Sequence, residues 1–489
     1  MSGSNNGLDL VPAERRGLYI DGTWREANDG RRFAVHDPAD GSVLVEVADG
    51  SADEALEALD AAAKVQDDWA RTAPRERGEI LRRAFEMLTA RADDFAHLMS
   101  LEMGKTVAEA RGEVTYGAEF FRWYAEEAVR VHGRWMQAPA GGSRLLTIKK
   151  PVGPCLFITP WNFPLAMGTR KIGPAIAAGC TMVVKPAELT PLTMLALTAV
   201  LEEAGLPAGV LNVVPTSTSA AVGQALMADE RLRKVSFTGS TPVGKILVKQ
   251  SADQLQRVSM ELGGNAPFLV FEDADVDAAV DGAMIAKMRN MGEACTSANR
   301  FLVHESVAQE FATKLGDRMG ALTVGRGQDD GVDVGPLINP EAVEAVGGLV
   351  TDAVHDGARV VCGGKPGEGP GYFFQPTVLV DVPADSQINR EEIFGPVAPI
   401  TTFSSESEAV RRANETEYGL VAYAFTRDLA RTLRLAEALD FGMIGMNTGL
   451  VSNPAAPFGG VKASGFGREG GFEGIEEYLD TTYVALPVS

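Results

Sequence analysis

SFTGSTPVGK, residues 236–245, lies within the stretch that decides the fold. A strand ends at Phe237, a glycine turn follows at Gly239, and Pro242 stands where a helix would begin. Working outward, apolar runs at Cys155–Thr159, Thr181–Lys185, Val210–Val214, Lys234–Phe237 and Arg257–Glu261 read as strands. Helical spacing over 165–179, 191–205, 219–228 and 242–251 separates them. Strands alternating with helices of about 10–15 residues imply right-handed crossovers and a parallel sheet. A second alternation, roughly 265–445, implies a second α/β unit. Ahead of the first, 18–50 carries short strands and turns. Ala52–Trp69, Arg75–Met103 and Thr106–Val131 read as amphipathic helices forming a surface layer. PAGGSRLLTIKKP (139–151) reads as an exposed β-ribbon, with which the tail YLDTTYVALPVS (478–489) can pair.

Bulk composition narrows the function. A chain of 489 residues exceeds one hydrophobic core, so two or more domains are expected. A formal charge of −21 argues against nucleic acid as a partner, and the absence of a long apolar run argues against a membrane span. MSGSNNGLDLVPAERR lacks the order of a signal peptide and reads as a disordered tail. Four unevenly spaced cysteines (Cys155, Cys180, Cys295, Cys362) and five scattered histidines fit a reducing, cytoplasmic setting. They argue against a disulfide framework, a metal centre and a Cys-His dyad. The base is expected to be a carboxylate.

Five segments carry chemistry. After SFTGSTPVGK, free N–H groups at a helix start can meet a phosphate, although a plain tight turn has the same pattern. In KPAELTP (185–191), Glu188 at a strand end can accept from a ribose hydroxyl, or can simply favour a helix N-terminus. In TPWNFP (159–164) two prolines stiffen a loop around Asn162, whose amide suits an oxyanion; a proline-locked turn with buried aromatics reads the same way. In ELGGNAP (261–267), Glu261 meets a glycine pair that permits close backbone approach. In MRNMGEACTSANR (288–300), Cys295 has only small neighbours, as a nucleophile admitting a carbonyl needs. Cys155, Cys180 and Cys362 have strand-like settings and read as inert core thiols.

In this order, and together with EEIFGPV (391–397) and APFGGVKASGFGREGG (456–471), these segments resemble the aldehyde dehydrogenase superfamily from about residue 18 onward. The resemblance implies an α/β subunit with two Rossmann-type parallel-sheet domains and an oligomerisation ribbon. Its parts are a dinucleotide-binding domain (1–134 and 151–262), a catalytic domain (263–465) and the ribbon with the tail (135–150 and 466–489). It implies a homodimer or homotetramer.

The resemblance makes Cys295 the nucleophile, forming a thiohemiacetal and then a thioester. Asn162 and the Cys295 backbone N–H would hold the oxyanion, and Glu261 would activate the hydrolytic water. Lys171 and Glu469 match positions proposed to relay the proton. For the cofactor it implies Lys185 and Glu188 at the adenosine ribose, Ser240 at the pyrophosphate, and Glu392 with Phe394 at the nicotinamide ribose. Ile158, Pro160, Trp161, Phe237, Gly239 and Leu262 complete that surface. Glu188 would repel a 2′-phosphate by about 4 kcal/mol at 4 Å and an effective dielectric near 20, so NAD is expected over NADP.

TRK (169–171), Arg289 and NTGLVSNPAAPFGG (447–460) look most like succinate-semialdehyde dehydrogenases. Arg170, Arg289 and Ser452, with Phe458 nearby, would bind the distal carboxylate of succinic semialdehyde. Glutaric semialdehyde or a neutral aliphatic aldehyde is the alternative substrate. Acylation of coenzyme A disagrees with retention of Glu261, and a non-catalytic binding role disagrees with Cys295, Glu261 and Asn162 standing together. Three departures stand out. Glu293 replaces the glutamine of many relatives and is expected to face away from the thiol. Ser297 leaves no adjacent thiol for a regulatory disulfide. VVPTSTSAAVG (213–223) lacks a glycine common near the cofactor.

Overall fold

The computed structural model describes residues 7–487. The first six residues of the expected N-terminal tail and the last two of the C-terminal tail lie outside the described residues. From residue 7 onward the expectation of a disordered N-terminus is corrected. Leu8–Leu10 and Ala13–Arg15 form short 3₁₀ turns, and Val11 is fully buried, with Leu8 and Leu10 packed on the same core.

The first sheet has eight strands, in the order Gly465–Phe466, Arg257–Glu261, Lys234–Thr238, Cys155–Ile158, Met182–Lys185, Leu211–Val213, Leu18–Ile20, Thr23–Arg25. The five central strands are parallel, and both edges are closed by antiparallel segments. Register aligns Thr238 with Glu261, Phe237 with Ile158, and Ile158 with Lys185. The strand ends of four sequence motifs therefore share one carboxyl edge, where open α/β sheets bind ligands.

Helices α1 (Ala52–Arg71), α2 (Pro74–Ala90), α3 (Ala92–Met103) and α4 (Val107–Glu127) precede the crossovers α5 (Ala166–Ala178), α6 (Leu192–Glu203), α7 (Ser219–Ala228) and α8 (Thr241–Ser251). The single helix expected over Arg75–Met103 breaks at Arg91, which leaves helical dihedrals (φ −110°, ψ 21°). The surface-layer reading is also too simple for α4. Phe120, Phe121 and Tyr124 are fully buried, and α4 lies between the outer helices and α5.

The second sheet has seven strands, in the order Arg359–Cys362, Thr377–Val380, Val397–Phe403, Ala298–His304, Ala266–Val270, Val421–Phe425, Met443–Met446. All are parallel except the first. Its core centres on Phe268, stacked on Phe425 with ring centroids 5.0 Å apart. Helix α9 (Val276–Met288) packs against that stack through Gly282, where a Cβ would meet the Phe425 ring at 2.2 Å. The first sheet passes directly into the second across Leu262–Asn265, since Glu261 ends one strand and Ala266 begins the next.

Ser143–Pro151 pairs antiparallel with Arg134–Gln137 on one side and Leu479–Pro487 on the other. Trp135 and Tyr483 stand exposed on this ribbon. Segment 466–478 differs from the expected tail: Phe466 pairs with Met260 on the first sheet, and Glu473–Glu476 forms a helical turn. Among the described residues no helix is long and apolar enough to cross a membrane.

Buried Glu102, in the last turn of α3, ties that helix to α6. Its carboxylate accepts from the N–H groups of Leu192 and Thr193, both at 2.8 Å, and from the Thr193 hydroxyl. Glu102→Ala would orphan these donors at about 1–3 kcal/mol. The melting temperature is expected to fall by roughly 1–3 °C; an unchanged melting curve would show that the cap carries no weight.

Candidate active site

The turn carrying Cys295 is built from backbone that most residues avoid. After α9 ends, Asn290 (φ 55°), Met291 (φ 55°) and Gly292 (φ 78°) are all left-handed. Such conformations cost about 1–3 kcal/mol per non-glycine residue and persist only where surroundings enforce them. Here Asn290 is held at both ends. Its backbone N–H donates to Glu109, and its side-chain amide donates to the carbonyls of Glu293 (2.9 Å) and Asn162 (3.2 Å). Beyond the turn, Tyr423 donates its hydroxyl proton to the Thr296 carbonyl at 2.8 Å. Gly264, on the linker between sheets, lies against the Cys295 backbone. A Cβ there would fall 2.4 Å from the Cys295 carbonyl oxygen, so only glycine fits.

Cys295 is partly accessible, and among the described residues all four cysteines are free thiols. Burial pushes the Cys295 thiol up to about 12; Arg170 and Arg289 oppose the shift, while Glu392 and Glu261 add to it. Asn162 is buried, and its amide nitrogen donates to the Glu293 carbonyl at 2.9 Å. An amide has two N–H donors, so one is committed to orientation and the other is left for a ligand. Glu261 is buried as well, with one carboxyl oxygen lacking any hydrogen-bond partner. Burial, then the charge of Glu469, holds its carboxyl well above the usual range.

Behind Glu261 lies a buried charge cluster. Glu469 ion-pairs with both Arg170 and Lys171, and Lys171 also donates to Ser236 at 2.9 Å. Despite burial, those two cations keep the Glu469 carboxyl below its ordinary value. Burial drives the Lys171 ammonium down, partly offset by Glu469.

Residues 24–484 match the model described as the Aldehyde dehydrogenase family. The chain belongs to that family. It is 62% identical over 444 residues to a succinate-semialdehyde dehydrogenase of Paenarthrobacter nicotinovorans, covering 91% of this chain and 99% of that one. It is 50% identical to the succinate-semialdehyde dehydrogenase [NADP(+)] GabD of Escherichia coli, covering 96% and 98%. A crystal structure of succinate-semialdehyde dehydrogenase from Burkholderia pseudomallei superposes with a TM-score of 0.96 at 47% identity, covering 100% of both chains.

In this aldehyde dehydrogenase the carboxyl edge of the first sheet forms a cradle that suits a dinucleotide. Ser240 is the N-cap of α8 and makes no side-chain cap bond, so the first N–H groups of the helix remain free for a phosphate. Gly239 sits over the Phe237 ring, where a Cβ would meet it at 2.4 Å, and Leu262 packs against Gly244. At the next strand end Lys185 donates to Ser219 at 2.8 Å and lies 3.5 Å from Glu188, whose carboxylate is half exposed. Ile158 and Pro160 are partly buried between these groups and the Asn162 loop. Trp161 meets Phe394 edge-on at 5.5 Å. Glu392 accepts from the Gly264 N–H at 3.0 Å, and burial raises its carboxyl to about 7. Among the described residues no cluster of three His, Cys, Asp or Glu side chains could hold a metal.

A cavity of about 370 Å³ is lined by Arg289, Ser452, Tyr116 and Phe163, with Lys105 and Glu113 also in its wall. Arg289 donates to the Ser452 hydroxyl at 3.4 Å, and its guanidinium lies over the Phe163 ring at 4.9 Å. Arg170 differs from a free carboxylate fork. It is fully buried, paired with Glu469 and stacked on Phe458 at 4.3 Å. Its terminal nitrogens make no well-aligned hydrogen bond and lie beside the Tyr116 hydroxyl.

Glu293 is fully buried, with its carboxyl turned onto the Ile338 N–H at 3.1 Å; burial pushes that carboxyl well above the usual range. Segment 213–223 is anchored by Asp49, which accepts from the Ser217 N–H and hydroxyl at 2.8 and 2.7 Å. Several residues here escape sequence reading: Ser219 beside Lys185, and Lys105, Glu109, Glu113 and Tyr116 on or before α4. Their signal is a polar interruption of an amphipathic helix, which reads equally as a solvated face.

The thiol position gives a pH test. Thiolate is the reactive form, and with the thiol at about 12 its fraction rises with pH throughout the accessible range. In cofactor-free enzyme, iodoacetamide labelling of the Cys295 peptide should accelerate about tenfold per pH unit from pH 7 to 10, a slope that follows from thiolate being the nucleophile. A plateau beginning near pH 8 would contradict the burial effect.

Proposed function

We propose that this enzyme oxidises succinic semialdehyde to succinate, preferring NAD as hydride acceptor. The observation that carries the substrate reading is Arg289 paired with Ser452 on a cavity of about 370 Å³, with the Arg289 charge acting on the Cys295 thiol. A guanidinium and a hydroxyl at that depth form a donor pair for one carboxylate, and the aromatic rings around them favour a short chain of methylenes. Arg170 adds buried positive charge that acts on the same thiol. The names of the relatives at 62% and 50% identity point to the same substrate.

In this reading the Cys295 thiolate attacks the aldehyde carbonyl, and the resulting oxyanion accepts hydrogen bonds from the free N–H of Asn162 and from the Cys295 backbone. Such a donor is worth about 3–4 kcal/mol in the transition state. A bound nicotinamide supplies the electrophile that accepts the hydride, and its positive charge also favours the thiolate. Loss of hydride leaves a thioester on Cys295. Glu261 takes a proton from the attacking water, its elevated affinity for protons making it a stronger base than an exposed carboxylate. Carboxylate and free thiol result, and Lys171 with Glu469 offers the proton a route away. The balance is aldehyde, oxidised cofactor and water giving carboxylate, reduced cofactor and two protons.

The cofactor surface would comprise Lys185, Glu188 and Ser219 at the adenosine ribose, Ser240 and Gly239 at the pyrophosphate, and Glu392, Phe394 and Trp161 towards the nicotinamide. Glu188 supports NAD, since its carboxylate can accept from a 2′-hydroxyl and repels a 2′-phosphate. The half-exposed position of that side chain and the nearby Lys185 are what would admit NADP, as the name of the Escherichia coli relative has it for that protein. We further propose a homodimer or homotetramer assembled through the ribbon, whose Trp135 and Tyr483 are exposed on the single chain. Multi-angle light scattering on a Trp135→Glu variant reads this directly.

Two kinetic tests follow. Arg289→Ala should raise KM for succinic semialdehyde by about 30-fold or more, given about 2–5 kcal/mol for losing a buried charge partner, while leaving propanal nearly unchanged. Equal losses on both aldehydes would defeat the carboxylate reading, and a faster reaction with glutaric semialdehyde would shift the chain length. NAD should exceed NADP in kcat/KM, and Glu188→Gln should narrow the gap. A wild-type preference for NADP overturns the cofactor assignment.

A further inference from the structure

Lys105 and Glu113 form an ion pair sealed from solvent, with side chains 1% exposed each and a separation of 2.5 Å. A buried pair is weak evidence of stabilisation, because desolvating two ions offsets their attraction. What the pair touches is more telling. Lys105 also donates to the Asn162 backbone carbonyl at 2.8 Å, and its ammonium lies 4.3 Å from the Phe163 ring centroid. The other carboxylate oxygen of Glu113 accepts from the N–H groups of Leu165 and Ala166, at 2.9 and 3.1 Å, at the start of α5. That helix carries Arg170 and Lys171.

Asn162 is thus gripped at both ends. Its carbonyl receives Lys105 and the Asn290 amide, while its own amide donates to the Glu293 carbonyl, which the Asn290 amide also reaches. The Asn162 loop and the Cys295 turn are joined through these few bonds. Removing Lys105 would leave the carbonyl held by Asn290 alone, at 3.2 Å.

We propose that Lys105, fixed by Glu113, is a positioning residue that aims the Asn162 amide at the oxyanion on Cys295. The inference rests on the reading of Asn162 given above. Preorganised donors act through placement, and displacement of about 1 Å can cost on the order of 100-fold in rate. Lys105 and Glu113 stand in the wall of the cavity proposed for the aldehyde, yet their side chains are 1% exposed and the ammonium is committed to Glu113 and the Asn162 carbonyl. Its effect therefore passes through Asn162 and must vanish when that amide is gone.

The test is a double-mutant cycle on the full-length enzyme, with kcat, KM for aldehyde and thermal unfolding measured on Lys105→Met, Asn162→Ala and the double variant. The expected result is a kcat loss of about 10–100-fold in Lys105→Met, with KM changed less than about threefold. The double variant should then be no slower than Asn162→Ala. Glu113→Gln, which keeps an acceptor for Leu165 and Ala166, should show a smaller kcat loss with the same non-additivity, and it serves if Lys105→Met fails to fold. Unchanged kcat in Lys105→Met, or losses that multiply in the double variant, would overturn the inference alone. Full kcat in Asn162→Ala would instead overturn the oxyanion reading, and this inference with it.

Discussion

Backbone meets backbone where Gly264 lies on the Cys295 carbonyl, closer than any side chain would allow. That contact belongs to the linker between the two sheets, so the same four residues end one parallel sheet, start the next and support the nucleophile turn. Glu261, one step upstream, is fixed by strand register to the Thr238 position and therefore to the whole carboxyl edge. Cradle, base and thiol hold a common frame because the linker is short and contains paired glycines. The left-handed residues 290–292 complete the frame from the other side, and their cost is met by hydrogen bonds that Asn290 donates to Glu109, Asn162 and Glu293.

Charge around this frame is arranged by burial more than by number. Carboxyls at Glu261, Glu293 and Glu392 are all raised, with desolvation as the leading cause in each. Glu469 alone among the buried acids at the centre is lowered, because Arg170 and Lys171 both face it. A proton acceptor of raised affinity therefore stands near an anion of lowered affinity, with two cations between them. The chain carries a strong negative excess, yet the cavity at Ser452 sets Arg289 and Lys105 against Glu109 and Glu113, with no such excess. Net charge says little about a site of this size.

Much of this was legible from residues alone. Cys295 stood out by its small neighbours, Glu261 by the glycines after it, and the cofactor edge by strand ends at regular intervals. Those signals are local, and local geometry is what sequence spacing encodes. The contribution of α4 was not legible: an amphipathic helix announces that one face is buried, without saying against what. Glu109 and Glu113 interrupt that face as charges and pass for solvent-exposed residues until α5 and the Asn162 loop are packed beside them. Arg170 was recognised as important, but its commitment to Glu469 joins residues 299 positions apart, beyond any periodicity. Packing of the chain from residue 7 onward was missed for a similar reason, since Leu8, Leu10 and Val11 form too short an apolar run to announce a distant core.

Glu293 holds a last consequence. Its carboxyl turns away onto the Ile338 N–H, while its main-chain carbonyl is what receives the amides of Asn162 and Asn290. Glutamate and glutamine codons differ by a single base. Exchange between them at this site would therefore spare the bonds that join the Asn162 loop to the nucleophile turn, because the acceptor there is main chain and not side chain.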